Sequence, residues 1–122
     1  MSDTAIGRVS FLTIDANDPD RLAAFWGALL GTEVEETMDG GRFVFLGASN
    51  GYVISFQRVP EPKAGKSRVH LDVRVDELDG ATDAIGALGG TWDGNAWTLD
   101  EARWRTLRDP EGNEFDIYVS GG

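Results

Sequence analysis

The chain has 122 residues, of which 41% are hydrophobic, and this is enough for one domain to bury a core without a metal or a disulfide. It contains no cysteine, which excludes disulfide scaffolds, thiolate zinc sites, iron–sulfur clusters and cysteine nucleophiles. Its formal net charge of −10 repels phosphate backbones and anionic lipid surfaces, so we expect neither nucleic acid nor a membrane as a partner. No apolar run is long enough to span a bilayer and no basic leader opens the sequence, so we expect a cytoplasmic protein.

The first half of the chain predicts a strand, a helix and three further strands. Residues 8–15 have the pattern of a strand, and Asp18 followed by Pro19 is a strong helix-start signal. An aspartate caps the free N–H groups of a first helical turn, where proline also fits because its missing N–H is not needed. Gly31 ends the helix, whose apolar face consists of Leu22, Phe25, Trp26, Leu29 and Leu30. Short runs between glycines predict strands over residues 33–37, 42–46 and 52–59.

The second half of the chain predicts the same elements in the same order. It follows residues 60–66, whose prolines, glycine and lysines predict a linker. Strict alternation over residues 68–75 predicts a strand, and Asp76 is predicted to cap a helix that ends at Gly89. The apolar face of this helix consists of Leu78, Ala81, Ile85 and Leu88. Further strands are predicted over residues 91–93, 102–108 and 114–119.

The two halves match closely enough to predict an internal repeat. A Leu-Gly corner closes each predicted helix, and a phenylalanine followed by a polar residue occurs in each predicted last strand. A single half is too small to bury its helix and both faces of its sheet. We therefore predict an α+β fold of two paired βαβββ modules. Residues 1–122 are predicted to form one domain, with module one over about 6–60 and module two over about 67–120.

Several stretches resemble the vicinal-oxygen-chelate superfamily and, in particular, its glyoxalase-like domain branch. They are residues 18–26 with the following Leu-Gly corner, residues 57–63, residues 70–73 and, most specific of all, DPEGNEF over residues 109–115. The superfamily includes glyoxalase I, extradiol dioxygenases, fosfomycin-modifying enzymes and bleomycin-resistance proteins. The resemblance implies that the two modules pair into a cupped mixed sheet, with the helices outside and a ligand cavity inside.

Alternation in two predicted strands agrees with a cavity lined by polar side chains. His70 and Asp72 share one face of the strand over residues 68–75, and Asp116 lies on the polar face of the last strand. The opposite faces are apolar and can take the two helices. A sheet face exposed to solvent gives the same alternation, so the pattern supports the cavity without requiring it.

The resemblance implies four metal-ligand positions. In the second module they fall on His70 and Asp116, and in the first module the last-strand position falls on Gln57. The first-strand position falls on Ser10 or Phe11, and neither is a usual ligand for a divalent metal, which prefers imidazole nitrogen and carboxylate oxygen. We therefore predict no cofactor, or a weakly bound divalent metal at a depleted site.

His70 is the only histidine in the chain, and three roles are open to it. It can be a strand histidine hydrogen-bonded to Asp72 or Asp116, a metal ligand, or a metal-free general acid or base that Asp116 orients. In the third role His70 and Asp116 form the catalytic pair. Ser10 has no second histidine to activate it, which argues against a serine hydrolase.

Tryptophan and arginine side chains are candidates for contacts with a ligand. Trp92, Trp97 and Trp104 occur close together in the second half, where they either pack in the core and rim or form an aromatic pocket. Trp104, Thr106 and Arg108 alternate along one strand and so share a face. The ligand-binding candidates are Gln57, Trp104, Arg74, Arg108 and Ser10, of which the two arginines suit an anionic group.

Two functions from different classes fit these residues. The first is a glyoxalase-like protein that binds a small organic molecule in the cavity and acts as a lyase or isomerase with a depleted metal site. The alternative is a non-catalytic sequestering protein of the bleomycin-resistance kind, whose acidic character suits a cationic or aromatic small molecule. The resemblance also implies a homodimer, and exposed strand edges provide a physical reason for pairing.

Overall fold

Each half of the chain forms a four-stranded sheet and one helix. The computed structural model describes residues 5–120, and the chain divides into two compact units between Val59 and Pro60. The elements of the first unit are β1 (Leu12–Ala16), α1 (Pro19–Leu30), β2 (Val34–Met38), β3 (Phe43–Leu46) and β4 (Ile54–Arg58), with a 3-10 turn at Asp39–Gly41. The elements of the second unit are β5 (Asp72–Arg74), α2 (Leu78–Ala87), β6 (Ala96–Leu99), β7 (Ala102–Arg108) and β8 (Glu114–Val119).

The two sheets have the same strand order, which confirms the duplicated α+β fold. The order is β1-β4-β3-β2 in the first unit and β5-β8-β7-β6 in the second. In each sheet the first and last strands of the unit pair in parallel and the other pairs are antiparallel. Among the helices described within residues 5–120, none is long and apolar enough to cross a membrane.

Helix α1 begins and ends where the sequence signals predict. The Asp18 side chain accepts a hydrogen bond from the Arg21 N–H at 3.2 Å, and Gly31 adopts the left-handed conformation at φ 73° that ends the helix. The predicted apolar face is buried at Leu22, Phe25 and Trp26 and packs on β3 and β4. Burial of each large side chain contributes roughly 1.5–3 kcal/mol to folding.

The alternating residues of β7 and β8 divide the second sheet into an apolar face and a polar face. Leu107, Phe115 and Ile117 are each at most 1% exposed, and α2 covers β8 through its buried Ile85. On the opposite face, Thr106 lies beside Asp116 in the ladder, and Trp104 lies beside Tyr118. This polar face positions the candidate site.

The turn between β7 and β8 is held by the buried carboxylate of Asp109. Its Oδ1 accepts hydrogen bonds from the backbone N–H groups of Glu111 and Asn113, at 2.9 and 3.0 Å. The Asn113 side-chain amide donates to Oδ2 at 2.9 Å. The DPEGNEF stretch is therefore a turn that satisfies its own polar groups and fixes where β8 begins.

Three predicted strands are shorter in the structure than their sequence patterns, and the one predicted over residues 52–59 is reduced to β4. The strand predicted over residues 8–15 begins only at Leu12, because the paired residues of β4 begin at Ile54 after a turn at Gly51. The strand predicted over residues 68–75 is reduced to β5, so His70 precedes the ladder. The backbone N–H of Ser67 is bound there by the Glu114 side chain rather than by a strand.

Two further local predictions are wrong. Glu77, not Asp76, caps α2, and its side chain accepts a hydrogen bond from the Gly80 N–H at 3.1 Å. Gly80 leaves room for this longer side chain, because a Cβ there would lie 2.6 Å from the Glu77 Oε1. No strand covers residues 91–93, where Thr91 makes a single bridge to Arg108. The strand lies instead at β6, because a two-residue turn aligns it with β7.

Candidate metal and ligand site

Three potential ligand atoms converge beside the polar face of the second sheet. The Nε2 atom of His70 lies 3.2 Å from Asp72 Oδ1 and 3.3 Å from Asp116 Oδ2. A ligating atom from each residue lies within 4.8 Å of the other two. The side chains are 42%, 60% and 14% exposed for His70, Asp72 and Asp116. This triad is therefore open on one side and anchored by its most buried member, Asp116.

The parallel ladder between β5 and β8 brings the triad together. Asp72 and Asp116 are Cα partners in that ladder, so their side chains project from neighbouring positions on the same face. His70 lies two residues before Asp72, and the Leu71 carbonyl between them accepts a hydrogen bond from the Asp116 N–H at 2.9 Å. Alternation then places the His70 side chain on the side of the two carboxylates.

An open pocket of about 530 Å³ adjoins the triad. Trp104 and Tyr118, paired across the β7–β8 ladder, provide aromatic surface, and Ala102 adds a small apolar side chain. The full lining consists of His70, Asp72, Ala102, Trp104, Asp116 and Tyr118. A pocket of this size fits a small organic molecule, and its lining combines apolar side chains with two carboxylates and an imidazole.

A second polar cluster fixes the segment that leads to His70. Glu114 accepts a hydrogen bond from the Ser67 N–H at 3.1 Å and forms an ion pair with Lys63 at 3.1 Å. Burial alone raises the pKa of Glu114, but hydrogen bonds from the backbone N–H groups of Ser67 and Glu114 and from Lys63 outweigh it and lower the pKa to about 2. Residues 63–67 are therefore tied to the start of β8.

The structure brings together three of the residues that the sequence singled out. His70, Asp116 and Trp104 line the same pocket. Arg74 is exposed on β5, and Arg108 forms an ion pair with Asp93 at 3.1 Å; neither is among the lining residues.

The candidate residues of the first unit lie on or before its first and last strands. Gln57 is half-buried on β4, opposite Asp15 in the ladder. Ser10 is exposed and precedes β1, and the Phe11 ring meets the Phe45 ring edge-on at 5.4 Å. No ligand role for these residues follows from their surroundings within the first unit.

The ladders also reveal residues that sequence reasoning missed. Asp15 faces Gln57 just as Asp72 faces Asp116, so the position two residues earlier, equivalent to His70, is Thr13. Its hydroxyl is hydrogen-bonded to that of Ser55 at 2.8 Å. The structure adds Asp72 as a third triad member, together with Tyr118 and Ala102 as pocket walls. Alternation already places Asp72 on the face of His70 as a hydrogen-bond partner, but only the structure brings its carboxylate into the triad.

The sequence and the fold agree on the class of protein. The glyoxalase-like domain family matches residues 11–118, and the chain belongs to that family. Comparison with curated proteins gives no match. Solved structures of the glyoxalase/bleomycin-resistance/dioxygenase superfamily share its fold over almost the whole chain.

Three solved structures illustrate the likeness. A mutant of the fosfomycin resistance protein FosX from Listeria monocytogenes, complexed with Mn(II) and a dihydroxypropylphosphonic acid, is 20% identical with a TM-score of 0.76, covering 97% of this chain and 92% of that chain. A glyoxalase/bleomycin resistance protein/dioxygenase family enzyme from Burkholderia phytofirmans is 22% identical with a TM-score of 0.70, at 91% and 97% coverage. A glyoxalase-related enzyme from Fulvimarina pelagi is 17% identical with a TM-score of 0.73, at 94% and 89% coverage.

Proposed function

We propose that the pocket binds a small organic molecule together with a weakly held divalent cation at the triad, and that the protein acts on this molecule as a lyase or isomerase of the glyoxalase type. One observation carries the proposal. A single nitrogen, His70 Nε2, faces two carboxylate oxygens at 3.2 and 3.3 Å, yet a neutral imidazole has at most one proton there to share. A cation among the three atoms offsets both carboxylate charges at once.

The donor set suits a divalent metal of hard or borderline character. One imidazole nitrogen and two carboxylate oxygens are ligands that Mn²⁺, Fe²⁺ and Zn²⁺ accept, and three protein ligands leave coordination positions for a substrate. The FosX relative complexed with Mn(II) supports this choice of metal class. The exposure of His70 and Asp72 favours weak binding, because solvent competes for both side chains.

Some residues of the pocket orient the bound molecule, and His70 is the candidate for proton transfer. A bound divalent metal supplies Lewis acidity to a substrate oxygen. Trp104 and Tyr118 contact the apolar part of the molecule and hold it beside the triad. With a metal bound, Nε2 of His70 would be a ligand and would transfer no proton. In the metal-free site Nε2 accepts or returns a proton, and Asp116 orients the ring.

Calorimetric titration with Mn²⁺ tests the metal part of this proposal. We expect one site per chain with a dissociation constant of about 0.01–1 mM, as for open, oxygen-rich sites. Asp116→Asn should abolish the binding signal, and Asp100→Asn, an exposed turn position outside the triad, is the matched control. Absence of binding in the wild-type protein would contradict the proposal.

A second function is favoured by the aromatic walls next to the two carboxylates. In the absence of metal, Trp104 and Tyr118 beside Asp72 and Asp116 form a site for an aromatic or quaternary ammonium cation, which the protein would sequester without turnover. Tetramethylammonium and a planar aromatic amine are suitable probes. Sequestration should be lost in Trp104→Ala and retained in His70→Ala, whereas catalysis should be lost in His70→Ala.

A further inference from the structure

The two oxygens of the Asp116 carboxylate have different partners. Oδ2 lies 3.3 Å from His70 Nε2, and both residues line the pocket. Oδ1 accepts a hydrogen bond from the Thr106 hydroxyl at 2.7 Å. Thr106 lies opposite Asp116 in the antiparallel ladder of β7 and β8, so the contact is set by strand register. One oxygen therefore remains for a ligand, and the other is already engaged.

Trp97 fixes the direction in which the Thr106 hydroxyl donates. The indole Nε1–H of Trp97 approaches the Thr106 Oγ1 at 3.3 Å, and an indole nitrogen can only donate. The hydroxyl thus accepts from Trp97 and directs its own single hydrogen to Asp116. The order of donors runs from Trp97 on β6, through Thr106 on β7, to Asp116 on β8.

We propose that Thr106 is a positioning residue that makes Asp116 a one-oxygen ligand, and that Trp97 supports it by orienting its hydroxyl. The inference rests on the proposed cation site. Hydrogen bonds to ligating carboxylates hold the side chain in its binding rotamer, and their loss commonly costs 10–100-fold in metal affinity. The bond to Oδ1 uses one acceptor site of that oxygen and holds the carboxylate with Oδ2 towards His70.

Thr106 is not part of the apolar core, so its substitution can test the positioning role without removing core packing. Its side chain lies on the polar face of the sheet, opposite the face on which Leu107 is buried. Replacement of its hydroxyl by a methyl group in Thr106→Val preserves shape and strand preference. We therefore expect the variant to fold, and Thr106→Ser to restore the hydrogen bond.

Mn²⁺ titration of a matched set of variants tests the inference. Thr106→Val should weaken binding about 10–100-fold, and Thr106→Ser should remain within about 3-fold of the wild type. Trp97→Phe should cause a smaller loss than Thr106→Val, because the free hydroxyl can still turn to Asp116. Thr98→Val, an exposed threonine on the neighbouring β6, is the control and should leave binding unchanged.

The outcomes distinguish failure of the positioning role from failure of the cation site. A wild-type protein that binds Mn²⁺ and a Thr106→Val variant that binds it equally well would overturn the positioning role alone. A wild-type protein that does not bind Mn²⁺ would overturn both proposals. A Thr106→Ser variant as weak as Thr106→Val would show that the hydroxyl alone does not sustain binding, and would also overturn the inference.

Discussion

Asp72 and Asp116 are directly opposed in the parallel ladder of the second sheet, and both carboxylates lie within 3.3 Å of one nitrogen atom, Nε2 of His70. Like charges at directly opposed positions destabilise a strand pair. The arrangement therefore costs stability unless a positive charge lies between the carboxylates. A divalent metal, an imidazolium or a cationic ligand each meets that requirement, and the site is best understood as a place for a cation.

Asp72→Asn should move stability and cation affinity in opposite directions. Removal of one opposed charge should raise the free energy of unfolding by about 0.2–1 kcal/mol in the absence of metal. The same substitution should weaken Mn²⁺ binding, because it removes one of three ligands. Urea denaturation and calorimetry measure the two effects, with Asp100→Asn as the control. A less stable variant with unchanged affinity would show that Asp72 has a structural role instead.

Glu114 should make the stability of the fold depend on acid pH. Its pKa in the folded protein is lowered to about 2, so it contributes stability above the ordinary glutamate pKa of about 4.5 and loses this contribution as pH falls towards 2. Glu114→Gln should therefore be less stable than the wild type at about pH 7, by about 1–2 kcal/mol after allowance for solvent screening. The difference should shrink as pH falls from about 4.5 towards 2, because the carboxylate is protonated first in the unfolded chain and only near pH 2 in the folded protein.

Urea denaturation at several pH values measures this difference, and Glu101→Gln on an exposed turn is the matched control. Lys63→Met should reproduce part of the loss at neutral pH, because it removes the ion pair with Glu114 but leaves the Ser67 hydrogen bond. Lys66→Met, on the same exposed segment, should have little effect. A difference between Glu114→Gln and wild type that is constant from pH 7 to pH 3 would contradict the account.

Two helical glycines should respond to alanine in opposite ways. A Cβ at Gly27 in α1 would lie 2.7 Å from the backbone oxygen of Thr32, which cannot move without the helix end. Gly27→Ala should therefore destabilise the protein by about 1–3 kcal/mol. Gly86 in α2 has nothing within 4 Å of such a Cβ, so Gly86→Ala should stabilise it by about 0.4–1 kcal/mol. Thermal unfolding of both variants measures this contrast, and equal effects would contradict it.

A homodimer remains a prediction from the sequence. Light scattering at micromolar concentration should give about twice the chain mass of 13.2 kDa. The reason for pairing is the apolar stretch of the first predicted strand, in which Phe11 is 53% exposed. A monomer mass that does not change when salt screens the acidic charge would refute the prediction.

Local sequence signals predicted the elements whose ends depend on local chemistry. Helix α1 has its cap at Asp18 and its stop at Gly31, as predicted, and β7 and β8 have the predicted bounds. The starts of β1 and β5 could not be predicted in this way, because a strand begins where its distant partner can pair with it. The same limit applies to the site: alternation placed Asp72 beside His70, but the contact of both with Asp116 depends on the register of the β5–β8 ladder.

The single histidine offers the most direct measurement of the central claim that the triad binds a divalent cation. Because His70 is the only histidine, its imidazole gives one set of nitrogen resonances in a ¹⁵N-labelled sample, which can be titrated with diamagnetic Zn²⁺. The account predicts that the Nε2 resonance moves to a metal-bound position along a single-site titration curve and no longer does so in Asp116→Asn. Imidazole resonances that stay unchanged up to about 1 mM Zn²⁺, the weak end of the expected range, would contradict it.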